Sequence, residues 1–322
     1  MENREIKDHV LVVQSTNFRW ILGHWVREIS ARVPGKSTIW WTPISFSRTN
    51  MLNEILKTIP LPKSRGYYFT QPTLFENYLK KNSSRVIGRS VVLYTHNDAS
   101  LGDDLHQVSV LSMCNSVHFM CSNDAERLVQ AGLPLHKARV VYGAVDNNCF
   151  KVGEVQRNPK SILLSSKYGS RKGGSIISEL IKSMPDWKFT IFGTGWERYI
   201  STHKLNSFAN FEYIVWDEDI RNRLMSEHEI FLSLSSLEGG PIPLIEGLNC
   251  GMFAIATDTG FARDVIMQNI NGKVIPIDAG YELIRDSILE SKVNDSQSIE
   301  SVATLTWDRL ARFYLNDVDT RF

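Results

Sequence analysis

Short apolar segments alternate with amphipathic segments along almost the whole chain, and this alternation constrains the fold more than any other feature. Short apolar runs predict buried strands, and the amphipathic segments between them predict helices. Strands that alternate with helices are typical of parallel α/β architecture, in which helices cover both faces of a sheet. We therefore predict an α/β fold of two doubly wound, Rossmann-like domains.

The predicted strands divide evenly between the two halves of the chain. In the first half they are His9–Val13, Ser37–Trp41, Gly66–Phe69, Ser90–Tyr94, Val117–Met120 and Arg139–Tyr142. In the second half they are Ser161–Ser165, Lys188–Phe192, Asn210–Tyr213, Ile230–Leu234, Phe253–Ala256 and Lys273–Ile275. The predicted helices include Trp20–Arg32, Thr73–Lys81, Leu101–Met113, Asn123–Gln130, Gly174–Ser183, Asp217–Ser226 and Trp307–Leu315.

A polar, irregular stretch from 147 to 158 separates the two halves. We place a first domain over residues 1–152, a second over 153–304 and a terminal helix over 305–322. When two doubly wound domains face each other, the carboxyl ends of both sheets line a central cleft. Ligands of such sheets bind at these ends.

Charge is distributed unevenly, although the 322-residue chain carries a net charge of only +1. Residues 1–150 hold 17 Lys and Arg against 12 Asp and Glu, and much of this excess lies between 48 and 89. A basic face favours an anionic acceptor or the head groups of an anionic membrane. An ordinary solvated surface is the open alternative.

The cysteines and the hydropathy pattern bear on location. The four cysteines, Cys114, Cys121, Cys149 and Cys250, form no C-x-x-C pair, which indicates free thiols in a reducing compartment. No uninterrupted apolar run approaches the roughly 18 residues of a membrane span, and the first residues are charged. We therefore expect a cytoplasmic protein without a signal peptide, whose membrane association would be peripheral.

The segment FLSLSSLEGGPIPLIE at 231–246 carries the strongest functional signal. A buried strand leads into a Gly-Gly-Pro turn that opens a helix, with Glu238 at the turn and Glu246 about two turns along the helix. Pro241 suits the first helical turn, and the free N–H groups there bind anions and hydroxyls. The two glutamates could grip a small polar ligand. A plain loop with two solvated glutamates is the alternative.

Three further segments carry candidate site residues. The loop of ILLSSKYGSRKGG holds Lys167, Arg171 and Lys172 between a strand and a helix, where cations suit a diphosphate. The FGTGW turn, with Gly193 and Gly195, is only a weak dinucleotide signal. His96 follows a strand of the first domain and could bond a substrate hydroxyl, and no third ligand completes a metal site with Asp98. No hydrolase elbow or P-loop motif is present.

Taken together, these motifs resemble the family-4 retaining glycosyltransferases, which have the two-domain GT-B fold. The resemblance is strongest from about residue 117 to 315, and its most specific part is SLEGGPIPLIEGLNCGMFAIATDTG, where Glu238 and Glu246 match the family's pair of glutamates. In the basic loop Lys172 matches the family's lysine, whereas Lys167 replaces an arginine. Before residue 90 the match is poor, because the expected glycine-rich acceptor loop is represented only by Gly23.

The resemblance implies an acceptor domain over 1–152 and a donor domain over 153–304, with the terminal helix crossing back to the first domain. It implies sugar transfer from a nucleoside-diphosphate sugar to a glycan or lipid-linked saccharide, as in lipopolysaccharide or capsule synthesis. The implied reaction requires no metal and no other cofactor, and the resemblance implies no nucleic-acid partner. The implied catalytic residues are Glu238, Lys172, Lys167 and His96. The implied donor-binding residues are Glu246, Gly239, Gly240, Pro241, Ile242, Gly193, Gly195 and Arg171.

Two other functions stay open at this point. A sugar-nucleotide epimerase of the same fold would need acid and base groups around the sugar but no acceptor. A catalytically silent module of the same fold would bind a partner transferase without turnover. The joint presence of Glu238, Glu246, Lys167 and Lys172 favours an active transferase over the silent module.

Overall fold

The computed structural model describes residues 7–14, 21–42, 60–97, 99–145 and 156–319. The chain divides into two compact units, each of which contains one six-stranded sheet. Unit 1 comprises residues 1–142 and 307–322, and unit 2 comprises residues 143–306. The last helix thus belongs to unit 1, although it follows unit 2 in the chain.

Unit 1 is built on the parallel order β2-β1-β3-β4-β5-β6. Its strands are β1 (Lys7–Gln14), β2 (Ser37–Thr42), β3 (Ser64–Phe69), β4 (Ser90–Tyr94), β5 (Ser116–Phe119) and β6 (Ala138–Val140). Its helices are α1 (Ile21–Arg32), α2 (Pro72–Val86), α3 (Asp104–Leu111), α4 (Ser122–Gln130) and, after unit 2, α12 (Trp307–Asp319).

Unit 2 has the parallel order β9-β8-β7-β10-β11-β12. Its strands are β7 (Ser161–Ser165), β8 (Lys188–Gly193), β9 (Phe211–Val215), β10 (Ile230–Ser233), β11 (Phe253–Thr257) and β12 (Gly272–Ile275). Its helices are α5 (Gly174–Ser183), α6 (Glu197–His203), α7 (Glu218–Glu227), α8 (Ile242–Asn249), α9 (Ala262–Val265), α10 (Tyr281–Leu289) and α11 (Asp295–Val302).

The burial of the strands follows from their place in each sheet. Every residue of the inner strands β4, β7 and β11 is buried, because helices cover both faces of a parallel sheet. The edge strand β9 is only partly buried. Each unit has its own apolar core, centred on residues such as Val12, Phe69 and Phe119 in unit 1 and Leu164, Ile191 and Ile255 in unit 2.

The predicted strands are all present, and the helices differ from prediction mainly at their ends. Helix α3 begins at Asp104 instead of Leu101, because Gly102 takes φ +72° and the side chain of Asp103 caps the helix by accepting from the His106 N–H at 2.8 Å. Trp20, the predicted start of α1, lies outside the described residues, as do residues 15–19 before it and part of the boundary stretch 147–158.

The strand order of unit 2 predicts where a ligand would bind. Strands β7 and β10 are neighbours, but the chain leaves β7 toward β8 on one side and leaves β10 toward β11 on the other. The loops after these two strands therefore diverge, and open α/β sheets bind ligands at such a switch point. The loop after β7 carries Lys172, and the loop after β10 carries Glu238.

Candidate functional site

Ion pairs join the two diverging loops of unit 2. Lys172 Nζ bonds Glu238 Oε1, and Arg171 Nη1 lies 3.5 Å from Glu238 Oε2. The side chains of Lys172 and Glu238 are only 16% and 11% exposed, whereas that of Arg171 is 42% exposed. The loop after β7 thus presents two cations around one carboxylate, and one of these cations faces solvent.

Backbone contacts hold the same two loops together. The Ser236 N–H donates to the Arg171 carbonyl at 2.8 Å, and the Arg171 guanidinium donates to the Leu237 carbonyl. Between Lys172 and α5, Gly173 has φ +73°, and a Cβ at this position would lie 2.7 Å from the Leu234 carbonyl oxygen. Glycine is therefore required at 173, both for its backbone conformation and for the close approach of the loops.

A third loop, which follows β11, supports the Glu238 turn. A Cβ on Gly260 would lie 2.6 Å from the carbonyl oxygen of Gly239, so this glycine packs directly against the turn. The Thr257 hydroxyl donates to the Ser235 carbonyl at 2.5 Å. The loops after β7 and β11 thus hold the loop after β10, which carries Glu238, in a fixed position. This arrangement favours a preorganised site.

Helix α8 begins at Ile242, directly after the Gly239-Gly240-Pro241 turn. Pro241 occupies the cap position with extended backbone angles, so it precedes the first helical turn that we predicted for it. As a result Glu246 lies little more than one turn into the helix, and the expected distance of about two turns is wrong.

Glu246 is buried and forms an ion pair that the sequence analysis missed. Its carboxylate Oε1 lies 3.1 Å from Arg221 Nη1 on α7, and its side chain is 10% exposed. Burial raises the pKa of Glu246, Arg221 lowers it, and nearby Glu218 raises it further. The net shift is upward, so the positive charge of Arg221 matters for keeping this carboxylate ionised. No motif spacing in the sequence links Arg221 to Glu246.

The glycine turn after β8 packs against the loop that carries Lys167. A Cβ on Gly193 would lie 1.8 Å from the Ser166 carbonyl oxygen, and Gly195 has φ +81°. The Tyr168 N–H donates to the Thr194 carbonyl at 2.8 Å, and Trp196 Nε1 donates to the Ser166 carbonyl at 2.9 Å. The glycines thus permit a close backbone approach, and Lys167 is exposed beside it.

The structure brings all but one of the sequence-predicted site residues to the carboxyl edge of the unit 2 sheet. The exception is His96, which lies half-buried in unit 1 on the loop after β4. Its neighbour Asn97 accepts a hydrogen bond from Gln107 Nε2 at 3.1 Å, which anchors this loop. Asp98 lies outside the described residues.

Three other sequence expectations can be compared with the described part of the chain. Cys114, Cys121 and Cys250 are buried free thiols, and Cys149 is not among the described residues. Within the described ranges, no group of three or more His, Cys, Asp or Glu side chains could hold a metal ion. None of the helices described is long and apolar enough to cross a membrane.

Comparison with known proteins relates this site to a family. Residues 146–294 match the family model "Glycosyl transferases group 1". One subunit of the human phosphatidylinositol N-acetylglucosaminyltransferase is 26% identical over 178 residues, which cover 51% of this chain and 37% of that protein. The chain therefore spans well under half the length of this curated relative.

Solved structures share the fold of both units. The lipopolysaccharide outer core galactosyltransferase WaaB, in its apo form, superposes with a TM-score of 0.75 at 13% identity, over 98% of this chain and 100% of that one. Anabaena Alr3699/HepE in complex with UDP-glucose superposes with a TM-score of 0.67 at 14% identity, over 97% and 96% of the two chains. At such identities the likeness concerns the fold.

The fold of both units is that of solved glycosyltransferase structures, and the family match over residues 146–294 points to the same class of protein. The residues that match the glycosyl transferases group 1 model, 146–294, include all the site residues of unit 2. The predicted α/β fold with two Rossmann-like domains is confirmed. The narrower assignment to family 4 is compatible with this match and stays a prediction.

Proposed function

We propose that the chain transfers a sugar from a UDP-sugar to a hydroxyl of a glycan or lipid-linked saccharide, with retention of configuration. The observation that carries this proposal is the contact of Lys172 and Arg171 with Glu238 at the switch point of unit 2. Cations fixed at the carboxyl edge of a sheet, beside a helix start, suit the diphosphate of a nucleotide sugar.

In this proposal the cations stabilise the leaving group. As the bond between the sugar and the diphosphate breaks, negative charge develops on the phosphate oxygen that leaves. Lys172 is held in place before the reaction by its ion pair with Glu238, so it needs little reorganisation to meet this charge. Lys167 and Arg171 add positive charge nearby, and the reaction needs neither a metal nor another cofactor.

Retention follows if the acceptor attacks from the face that the diphosphate leaves. The acceptor oxygen forms the new glycosidic bond, the old bond to phosphate breaks, and the departing phosphate oxygen takes the acceptor's proton. Glu238 is a poor candidate for a covalent nucleophile, because its carboxylate is already paired with Lys172 and Arg171. In our proposal Glu238 instead lies beside the transferred sugar. The role of His96 in unit 1 as a partner of a substrate hydroxyl stays a prediction.

The names of the relatives support the choice of donor and acceptor. The human relative is named as part of a phosphatidylinositol N-acetylglucosaminyltransferase, and the HepE structure contains UDP-glucose. We therefore propose UDP-N-acetylglucosamine or UDP-glucose as the donor. A lipid-linked acceptor would be consistent with the name of the human relative, and synthesis of a surface polysaccharide is one pathway that would use such an acceptor.

We further propose a cytoplasmic location with peripheral contact to anionic lipid through the basic segment 48–89. Within its described part, Lys63, Arg65 and Arg89 are exposed. Co-sedimentation with vesicles of phosphatidylcholine, with and without phosphatidylserine, tests this contact. Binding that requires phosphatidylserine and weakens with salt supports it, and equal binding to both vesicle types would contradict it.

Calorimetric titration with UDP, GDP, ADP and CMP, followed by their common sugar conjugates, tests the donor assignment. We expect UDP and one UDP-sugar to bind and the other nucleotides to bind far more weakly. Selective binding of a different nucleotide would refute UDP as the donor base. Incubation of the bound UDP-sugar without an acceptor then tests for an epimerised product, and binding without turnover over a broad acceptor panel would favour the silent module.

A further inference from the structure

Three large apolar side chains are exposed at the amino edge of the unit 1 sheet, the edge where its strands begin. Ile87, Met113 and Leu135 are 46%, 44% and 74% exposed. They lie in three successive connections from a helix to a strand, those that lead into β4, β5 and β6. Single exposed apolar side chains are common, but one on each of three successive connections at one edge indicates a contact surface.

Hydrogen bonds join these three connections to one another. The Gly88 N–H donates to the Met113 carbonyl at 3.1 Å, and Lys137 Nζ donates to the Cys114 carbonyl at 2.7 Å. The Ser116 hydroxyl donates to the Lys137 carbonyl at 3.2 Å. The exposed apolar side chains therefore stand on backbone segments that hold each other in place, and not on independent loops.

Basic side chains lie on the same edge. Lys63 and Arg65 lie at the start of β3, Arg89 directly precedes β4, and Lys137 directly precedes β6. The first three are exposed, whereas Lys137 is partly buried. The edge thus combines apolar side chains with positive charge on neighbouring connections.

The acids Asp8 and Asp317 also lie at this edge, but both are paired. Asp8 Oδ1 lies 3.5 Å from Arg65 Nε. Asp317 is buried, and its Oδ2 accepts from Arg139 Nε at 2.7 Å. These acids therefore do not cancel the charge of the remaining cations, and the edge stays positive.

The mixture of apolar and basic side chains favours a lipid surface over a protein partner. A second copy of the chain would place the same cations opposite one another across a two-fold axis, which is unfavourable. Protein interfaces gather apolar side chains at their centre and exclude lysine from it. At a membrane, by contrast, anionic head groups attract Lys and Arg while apolar side chains enter the region beneath the head groups.

We propose that the amino-edge surface, formed by Ile87, Met113 and Leu135 together with Lys63 and Arg89, docks the chain on an anionic phospholipid membrane. The apolar side chains enter the membrane, and the cations contact the head groups. This inference rests on the proposed membrane contact and deepens it. Two of the three apolar anchors lie outside the basic segment 48–89, and hydrophobic insertion is added to charge attraction.

Docking at this edge leaves the opposite edge of the sheet open. His96 follows β4, and Ile87 precedes the same strand. Strand β4 has five residues, and at about 3.3 Å per residue the two edges stand roughly 16 Å apart. The membrane would therefore not cover the carboxyl edge, where α/β sheets bind ligands. A lipid-linked acceptor would have to extend at least this far from the head groups.

Replacement of Leu135 by serine tests the apolar part of the surface. Leu135 is 74% exposed, so its replacement leaves the core of unit 1 intact. We expect Leu135→Ser to bind vesicles of phosphatidylcholine and phosphatidylserine about 10-fold more weakly than the wild-type chain, because the transfer of one leucine side chain out of water is lost. Leu289→Ser is the matched control, since Leu289 is 58% exposed in unit 2, and it should bind as the wild-type chain does.

Replacement of Arg89 by glutamine tests the basic part. We expect Arg89→Gln to weaken vesicle binding about 5-fold, as loss of one basic side chain near an anionic surface does. Lys292→Gln, at an exposed position of unit 2, should have no effect. Added salt should reduce the effect of Arg89→Gln but not that of Leu135→Ser, because salt screens charges and leaves apolar burial in place.

An environment-sensitive dye reports insertion directly. The dye is attached to Leu135→Cys or to Leu289→Cys, and the wild-type chain, treated in the same way, corrects for labelling of the native cysteines. When vesicles that contain phosphatidylserine are added, we expect the emission of the dye at 135 to shift to shorter wavelength. The emission of the dye at 289 should stay unchanged.

Two results would overturn the docking surface: vesicle binding that Leu135→Ser leaves unchanged, and an unshifted dye at 135 on a chain that binds vesicles. Binding to soluble poly-glutamate as tight as to vesicles, again insensitive to Leu135→Ser, would assign the edge to an acidic protein instead. Failure of the wild-type chain to bind these vesicles would refute the proposed membrane contact itself. Titration of the same preparation with UDP tests the proposed sugar transfer separately.

Discussion

At the scale of single residues, the chemistry of the candidate site depends on charges that are paired before any ligand arrives. Lys172 bonds Glu238, and Arg221 bonds Glu246, and all four side chains are less than one-fifth exposed. Pairing offsets the desolvation penalty of such charges in a partly dehydrated site, and it also fixes their geometry. The bond between Lys172 and Glu238 therefore serves both the stability of the loops and the proposed stabilisation of the leaving diphosphate.

Replacement of Lys172 by alanine tests this dual role. We expect Lys172→Ala to lower turnover about 100- to 1,000-fold, because a fixed charge that meets the developing phosphate charge is lost. Steady-state assay with the UDP-sugar identified by titration measures the effect. Lys188→Ala is the matched control: this lysine also pairs with a glutamate, Glu212, at 2.8 Å, but it lies at the opposite end of its strand in the same sheet. Equal turnover in the two variants would exclude the role of Lys172.

His228 makes the stability of unit 2 dependent on pH. The ring is 2% exposed, its Nδ1 donates to the Leu224 carbonyl at 2.6 Å, and its Nε2 therefore accepts from the Thr190 hydroxyl at 2.9 Å. Burial lowers the pKa of this neutral imidazole to about 4, well below the value of about 6.5 in an unfolded chain. The folded state then binds fewer protons than the unfolded state.

The contribution of His228 to the free energy of unfolding should accordingly be complete above pH 6.5 and decline as pH falls toward 4. A shift of this size corresponds to about 3 kcal/mol in all. We expect His228→Gln to melt at a lower temperature than the wild-type chain at pH 7.5, but to lose less thermal stability between pH 7.5 and pH 5. Calorimetry at both pH values measures this difference. An identical pH dependence in the two chains would contradict the assignment.

At the scale of elements, two glycines of unit 2 allow its strand-end loops to meet. Gly173 combines φ +73° with direct contact to the backbone of Leu234, so any side chain would push the loops after β7 and β10 apart. Gly169, four residues earlier in the same loop, has extended backbone angles and nothing within 4 Å of a Cβ. Alanine at 169 is therefore a control for alanine at 173, because it makes the same change in the same loop without backbone strain or a close contact.

We expect Gly173→Ala to destabilise the protein by about 1–3 kcal/mol and to weaken UDP binding, because it strains the backbone and displaces the loop that carries Lys172. Gly169→Ala should change neither property appreciably. Thermal unfolding and UDP titration of both variants measure these effects. Tolerance of alanine at 173 would show that the loops do not need to approach as closely as described.

Helix α12 is attached to unit 1 by a buried acid as well as by apolar packing. Asp317 Oδ2 accepts from His118 Nε2 at 2.8 Å and from Arg139 Nε at 2.7 Å. Although burial opposes ionisation, these hydrogen bonds lower the pKa of Asp317 to about 2. Another acid of the helix, Asp308, pairs with Arg32 at 2.7 Å but is 74% exposed. Asp317 should therefore contribute far more than Asp308 to the stability of the protein.

Replacement of Asp317 by alanine should cost about 3–5 kcal/mol, as loss of one partner of a buried ion pair does. Replacement of Asp308 should cost less than about 1 kcal/mol, since exposed pairs contribute little. Hydrogen exchange of residues 307–319 measures the release of the helix in each variant. Faster exchange is expected only for Asp317→Ala, and equal exchange rates in the two variants would be inconsistent with this role of the buried acid.

At the scale of the whole molecule, each unit has its own parallel sheet and core, and the proposed donor-binding residues lie in unit 2 alone. UDP should therefore slow hydrogen exchange mainly in the loops of unit 2, around residues 166–173, 193–196 and 234–246. Stabilisation by a ligand at about 100 times its dissociation constant is roughly 2.7 kcal/mol. Protection confined to unit 1 would place the nucleotide elsewhere and contradict the donor assignment.

Much of the fold was predictable because local periodicity encodes it. Strands such as β7 and β11 are continuous apolar runs bounded by loop residues, and α5 has the predicted bounds of Gly174 and Ser183. The proximity of the loops that carry Lys172 and Glu238 could also be predicted, since both loops follow strands whose carboxyl ends share one edge. Helix ends were less predictable, because caps such as Asp103 and turns such as Gly102 compete locally with the apolar pattern.

By itself, the sequence determined the α/β class, the order of strands and helices along the chain, and the loops that carry the charged residues. These properties depend on neighbouring residues and on short-range spacing. Only the tertiary structure decided that Arg221 pairs with Glu246 and that Trp216 stands beside Gly193. Those contacts join elements through the order of strands in a sheet, and that order is set by the packing of the whole unit.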